Sequence, residues 1–187
     1  MKPDEKELIQ GLRQRDNEAF ELLVGIYQKR LMAIACGITL DREESLEIVQ
    51  DVFLNVHQNI DTFREESGLM TWMRRITVNL CLNWKRRLSR RVQWHHQPIE
   101  AEEVLSCTDG DGTADTPESQ YMAYESEQIL MEKIAQLPEK VRTVLVLKVF
   151  EKMAYEEIAQ TLGINSGTVK SRLYYARKFL ALSMVSS

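Results

Sequence analysis

Apolar residues recur at three- and four-residue intervals through most of this chain and almost never alternate, which is a helical period rather than a strand period. Residues 5–15 fit a short amphipathic helix. Asn17 can cap a longer one, along which Phe20, Leu23, Tyr27, Leu31, Ile34 and Ile38 return at near-helical spacing. Asp41-Arg42-Glu43-Glu44 has the form of a capping box and opens a third helix through about Asn59, with Leu46, Val49, Phe53 and Val56 as its buried stripe. Ser67-Gly68 breaks the pattern. A fourth helix then runs from about Leu69 into the Arg86–Arg91 region, with Leu69, Met73, Ile76 and Leu80 facing the core. From His95 to about Pro117 the composition shifts to Pro98, Asp109-Gly110-Asp111-Gly112 and Thr116-Pro117, which buries little and reads as a linker. A second helical region follows, with Pro138 starting a helix that carries Val141, Val144, Leu145 and Val149. The pattern predicts an all-α protein: a helical domain over 1–95, a linker over 96–118 and a second small helical domain over 119–187.

The segment Tyr155–Leu173 predicts a helix, a tight turn and a second helix. Ile158, Ala159 and Leu162 give the first helix an apolar face. Gly163 stands where helices end in a left-handed residue, and Asn165 or Ser166 can cap the next. Val169, Leu173, Ala176 and Leu180 line one side of the second helix, while Lys170, Ser171, Tyr174 and Lys178 occupy the other. Such a pair has the design of a helix-turn-helix that enters a DNA major groove. An ordinary αα-hairpin with a solvated charged face satisfies the same residues.

Charge changes the picture only when it is divided by region. The 187 residues carry a formal net charge of −4, which by itself disfavours nucleic acid. Residues 1–95 hold 15 basic and 14 acidic side chains, and residues 119–187 hold 9 basic and 7 acidic; residues 96–118 hold 7 acidic and no basic ones. The linker alone makes the chain acidic. No apolar run reads as a membrane span and the first residues are too polar for a signal peptide. Cys36, Cys81 and Cys107 form no CxxC pair, so reduced thiols in a cytoplasm are expected.

Between Trp72 and Arg91 there are seven basic side chains and no acidic one. Beside the core-facing stripe of that helix runs a second row: Trp72, Arg75, Asn79, Asn83 and Arg86. Cations that follow a backbone, an aromatic face and amides suit single-stranded nucleic acid. Phe63, just before Ser67-Gly68, adds a loop aromatic beside a base drawn out of its stack. Trp72 taken alone fits a core position equally well. On the third helix, Glu47, Gln50, Asp51 and Leu54 share an exposed side, which is either solvent surface or a dock for a partner helix.

Four motifs, in this order, carry a resemblance over nearly the whole chain. They are Ile48–Leu54; Phe63 through Thr71–Asn79; Leu137–Arg142; and Glu157-Ile158-Ala159 through Gly167–Leu173 with Ala176-Arg177. Together they resemble the extracytoplasmic-function group of bacterial sigma factors, built from the second and fourth sigma domains and a linker. The resemblance implies a non-enzymatic initiation subunit that binds core RNA polymerase, through the β′ clamp and the β flap, and promoter DNA. It implies that Glu47, Gln50, Asp51 and Leu54 meet the clamp, and that Phe63, Trp72, Arg75, Asn79, Asn83 and Arg86 take the opened −10 element. Lys170, Ser171, Tyr174 and Tyr175 would read the −35 element, with Arg172, Arg177 and Lys178 on its phosphates. The linker would thread the polymerase toward its RNA exit channel, and an anti-sigma factor would hold the chain in check. His57 departs from the tryptophan that many relatives carry on the polymerase-binding helix.

No nucleophile–base constellation or Gly-rich phosphate loop is visible, so no catalysis and no cofactor are expected. His95-His96 with Cys107 has poor spacing for a metal, and none is expected. The competing readings are a stand-alone helix-turn-helix regulator and an antagonist that mimics an initiation subunit.

Overall fold

The computed structural model describes residues 4–95, 130 and 132–185. The acidic linker 96–118, with His96 and Cys107, lies outside the described residues. The described helices fall into two compact units, Met1–Pro98 and Ile99–Ser187. No strand occurs among the described residues.

The first unit has four described helices. Helix α1 (Glu5–Arg13) is capped by Asp4, whose side chain accepts the Lys6 N–H, and buries Leu8, Ile9 and Leu12. Helix α2 (Asn17–Thr39) is capped by Asp16 rather than Asn17, because the Asp16 carboxylate accepts the Glu18 N–H at 3.0 Å. It ends at Leu40, which takes a left-handed conformation. Helix α3 (Arg42–Asn59) is capped by Asp41, which accepts the Glu44 N–H at 3.0 Å, but only this half of the expected capping box forms: the Asp41 N–H donates to the Thr39 hydroxyl oxygen at 3.2 Å. A 3₁₀ turn (Ile60–Thr62) and a loop lead into helix α4 (Leu69–His95).

Helix α2 packs on α1, α3 and α4, and α3 also packs on α4. By length and composition α2 is apolar enough to cross a membrane, contrary to the expectation that no run is. Leu23, Leu31, Ile34 and Ile38 have no exposure, so its apolar side forms the centre of the unit. Packing from two sides also shifts two expected stripes. On α3 the buried arc is Ile48, Val49, Val52, Phe53 and Val56, and Leu46 falls at its edge with 39% exposure. On α4, Leu69 and Met73 are buried, but Ile76 and Leu80 are only half-buried; Thr77, Val78 and Cys81 take their place. Thr77 is tolerated there because its hydroxyl donates to the Met73 carbonyl at 2.9 Å. Burial, and then the neighbouring Cys36 on α2, pushes the Cys81 thiol up to about 12.

The second unit has three described helices, preceded by a helical turn at 132–135. Helix α5 (Glu139–Val149) starts after Pro138, whose carbonyl accepts the Val141 and Arg142 N–H groups. Val144–Leu147 are buried, whereas Val149 is exposed at the end of the helix. Arg142 is buried and donates to the Ala135 and Leu137 carbonyls at 3.1 and 3.0 Å, folding the preceding turn onto α5. Helices α6 (Tyr155–Leu162) and α7 (Ser166–Val185) follow and pack on each other and on α5.

Candidate nucleic-acid interface

The α6–α7 turn is built from local chemistry. The Glu157 carboxylate accepts the Ala154 N–H at 2.7 Å and starts α6. Gly163 ends it with φ +63°; its N–H reaches the Gln160 carbonyl, and the Ile164 N–H reaches Ala159 at 3.0 Å. Asn165, one of the two expected caps, accepts both the Thr168 N–H at 2.7 Å and the Thr168 hydroxyl at 2.9 Å. Ile158, Ala159, Val169, Leu173 and Ala176 are buried between the helices; Leu162 and Leu180, also expected there, are half-buried.

The outward side of α7 then follows from its period. Lys170, Ser171, Tyr174, Tyr175, Arg177 and Lys178 are all exposed, Tyr174 at 70%. Lys170, Tyr174 and Arg177 stand at i, i+4 and i+7, with Ser171, Tyr175 and Lys178 in the adjoining row. Ser171 donates its hydroxyl to the Thr168 carbonyl at 3.0 Å, and Tyr175 stacks on Phe179 with ring centroids 6.4 Å apart. Arg172 differs from the rest: it is half-buried, and its guanidinium is turned toward the Lys140 carbonyl on α5 at 3.5 Å.

In the first unit, Arg75, Asn79, Asn83 and Arg86 form an exposed row on α4. Arg86 donates to the Asn83 side-chain oxygen at 3.1 Å. Trp72 is half-buried at the head of this row. It stacks on Phe63, with centroids 5.0 Å apart and planes 26° from parallel. Phe63 itself is only 5% exposed, so the loop aromatic is already occupied by a partner ring. Arg74 lies on the buried side of the helix.

Glu47, Gln50, Asp51 and Leu54 share the exposed side of α3, with Leu54 at 56% and Leu46 beside them. His57 is exposed one turn further on, its ring edge-on to Phe20. Sequence patterning does not single out the contacts that α1 and the turn after it make with the end of α3 and the loop before α4. Arg13 donates to the Phe63 carbonyl at 2.9 Å and pairs with Glu65 at 2.8 Å. Arg15 donates to the His57 carbonyl and pairs with Asp61 at 2.7 Å. Glu5 accepts the Leu69 N–H at 2.9 Å. These contacts span 42 to 64 residues, beyond the reach of any local periodicity. Among the described residues no group of three or more His, Cys, Asp or Glu side chains is placed to hold a metal ion.

Comparison with known proteins places both units. The family model Sigma-70 region 2 matches residues 23–91, and Sigma-70, region 4 matches residues 127–180. The chain is 33% identical to the ECF RNA polymerase sigma-E factor of Haemophilus influenzae over 175 residues, covering 92% of this chain and 91% of that one. It is 30% identical to the RNA polymerase sigma-H factor of Pseudomonas aeruginosa, covering 93% and 90%. Its fold is similar to that of the sigma factor RpoE of Bartonella quintana, solved with the anti-sigma factor NepR (TM-score 0.72, 22% identity, 88% and 96% covered). It is also similar to that of CnrH, solved with the cytosolic domain of CnrY (TM-score 0.65, 19% identity, 98% of each chain). Two sigma-70 regions in one chain, with relatives matched over nine-tenths of their length, leave no place for the stand-alone regulator: this chain belongs to the ECF sigma factors of the sigma-70 family.

Proposed function

We propose that the chain grips its promoter at two points, each on a different unit, while core RNA polymerase holds the chain. In this reading residues 1–95 bind core enzyme and the opened −10 element, residues 119–187 bind the −35 duplex, and residues 96–118 thread the polymerase toward its RNA exit channel. The observation that carries it is the exposed row Arg75, Asn79, Asn83 and Arg86 headed by Trp72, in a chain that also holds an exposed cationic helix-turn-helix face.

Each face suits a different form of DNA. On α7, Lys170, Ser171, Tyr174 and Tyr175 offer hydrogen bonds and ring surface to base edges in a major groove. Arg177 and Lys178 serve phosphates, which fix register without reading sequence. Arg172, half-buried against α5, joins them from the side of the helix. On α4 the amides of Asn79 and Asn83 read an unpaired base while Arg75 and Arg86 follow the strand. Trp72, half-buried and backed by the buried ring of Phe63, forms the aromatic wall of that site, and stacking on such a ring contributes about 1–3 kcal/mol per base. The outward side of α3 (Glu47, Gln50, Asp51 and Leu54) docks on the β′ clamp, and the second unit meets the β flap.

The chain performs no catalysis of its own and acts in the cytoplasm, where polymerase is. RpoE and CnrH were solved with an anti-sigma factor and with the cytosolic domain of CnrY, which supports a similar inhibitory partner here. The test is run-off transcription with purified core enzyme on promoters from the same genome. Transcripts that need this chain, and that vanish when either the −35 or the −10 element is scrambled, are expected. Equal transcription from a template lacking the −10 element would overturn the two-point grip.

A further inference from the structure

The loop between α3 and α4 has little internal structure of its own. Its backbone closes with one 3₁₀ bond, Phe63 N–H to the Ile60 carbonyl at 3.0 Å, and Thr62 donates its hydroxyl to Asn59. Further on, Glu65 takes φ +57°, a left-handed conformation that a non-glycine residue adopts only when something holds it. What holds the loop comes from α1 and the turn after it. Arg15 ties the last turn of α3, at His57, to the start of the loop at Asp61; Arg13 meets the loop in the middle, on Phe63 and Glu65; Glu5 meets it at the end, where its carboxylate caps the first turn of α4 at Leu69.

The two ion pairs among these contacts are poorly suited to stabilising the domain. The Arg13–Glu65 and Arg15–Asp61 side chains are 39% to 60% exposed, and exposed pairs add little. The contacts as a set are well suited to fixing a position. Arg13 binds the carbonyl of Phe63 itself, and Glu5 sets the entry of the helix whose first turn carries Trp72. We propose that Glu5, Arg13 and Arg15 are positioning residues for strand capture, which hold Phe63 and Trp72 in the geometry that receives an unstacked base. The role rests on the assignment of α4 as the strand-reading helix.

The experiment measures binding of holoenzyme to a single-stranded −10 oligonucleotide of the non-template sense, intact or with each base removed in turn. Arg13→Ala and Glu5→Ala should each lower affinity for the intact strand about five- to tenfold, the upper part of the range for losing one ordinary net hydrogen bond, because these part-exposed contacts act on the strand only through the loop they hold. On the strand lacking the captured base the loss should shrink to about twofold or less, because the contact acts through that base. Glu5→Gln keeps a side-chain carbonyl for the Leu69 N–H and should bind nearly as the parent does. Affinity for core polymerase should not change. Equal losses on intact and abasic strands, or a matching loss of core binding, would make these residues merely structural and overturn the role; so would no loss at all. Phe63→Ala and Asn79→Ala are measured beside them. If those two show no base-dependent loss, the strand-reading assignment fails and the positioning role with it. If they do and Arg13→Ala does not, only the positioning role fails.

Discussion

Replacing Gly163 by alanine isolates the conformational cost of the helix-turn-helix turn. Gly163 holds φ +63°, and a Cβ placed there meets nothing within 4 Å, so no clash contributes. The left-handed conformation costs an alanine about 1–2 kcal/mol. Alanine also narrows the unfolded chain, which offsets about 0.4–1 kcal/mol of that. The expected net loss is therefore about 1 kcal/mol, while Gly163→Asn, whose side chain tolerates this conformation, should lose less. All three tryptophans lie before the linker, so tryptophan fluorescence does not report on this unit. Amide hydrogen exchange does: the opening free energy of α6 and α7 amides should fall by about 1 kcal/mol in Gly163→Ala, with α1–α4 unchanged. An unchanged or raised opening energy would refute the left-handed turn. A loss beyond about 3 kcal/mol would refute the open space around it.

Other consequences are equally specific. Met73→Ala removes a side chain with no exposure and should cost the first unit about 2–5 kcal/mol in urea unfolding followed by tryptophan fluorescence; Arg75→Ala, on the outward row, should change that stability by less than about 0.5 kcal/mol yet weaken strand binding. The Cys81 thiol, raised to about 12, stays neutral in the folded chain, whereas an unfolded thiol ionises near 9.0. Its contribution is therefore whole below that lower value and is lost as pH climbs toward the higher one. Urea midpoints should decline above about pH 9, and Cys81→Ala should flatten part of the slope, leaving the part due to Tyr27, which burial also raises. Arg177→Ala should weaken holoenzyme binding to all −35 duplexes alike and make the dependence of log K on log salt shallower by about 0.9, as expected for one lost phosphate contact.

What the chain alone makes legible is what local chemistry determines. Gly163, Asn165 and the Val169–Leu173–Ala176 spacing lie within a few residues of each other, so the residues themselves spell out the turn and the outward side of α7. The outward row of α4 is legible for the same reason. The inward stripe is not: α4 packs on both α2 and α3, so its buried arc takes in Thr77, Val78 and Cys81 and leaves Ile76 and Leu80 at the edge. Asp16 and Asn17 are both good caps, and only geometry chooses between neighbours. The burial of Phe63 against Trp72 and the grip of Glu5, Arg13 and Arg15 on its loop depend on tertiary approach, which leaves no periodic trace.

The two-point grip is tested most directly by footprinting holoenzyme on several cognate promoters with permanganate for melted thymines and a duplex nuclease for −35 protection, comparing the parent chain with Asn79→Ala and Lys170→Ala. Asn79→Ala should protect the −35 duplex as the parent does but leave the −10 thymines unreactive. Lys170→Ala should lose −35 protection, and melting should return once enough holoenzyme is supplied to drive binding. Normal thymine reactivity with Asn79→Ala on those promoters would contradict the assignment of α4 to the opened strand.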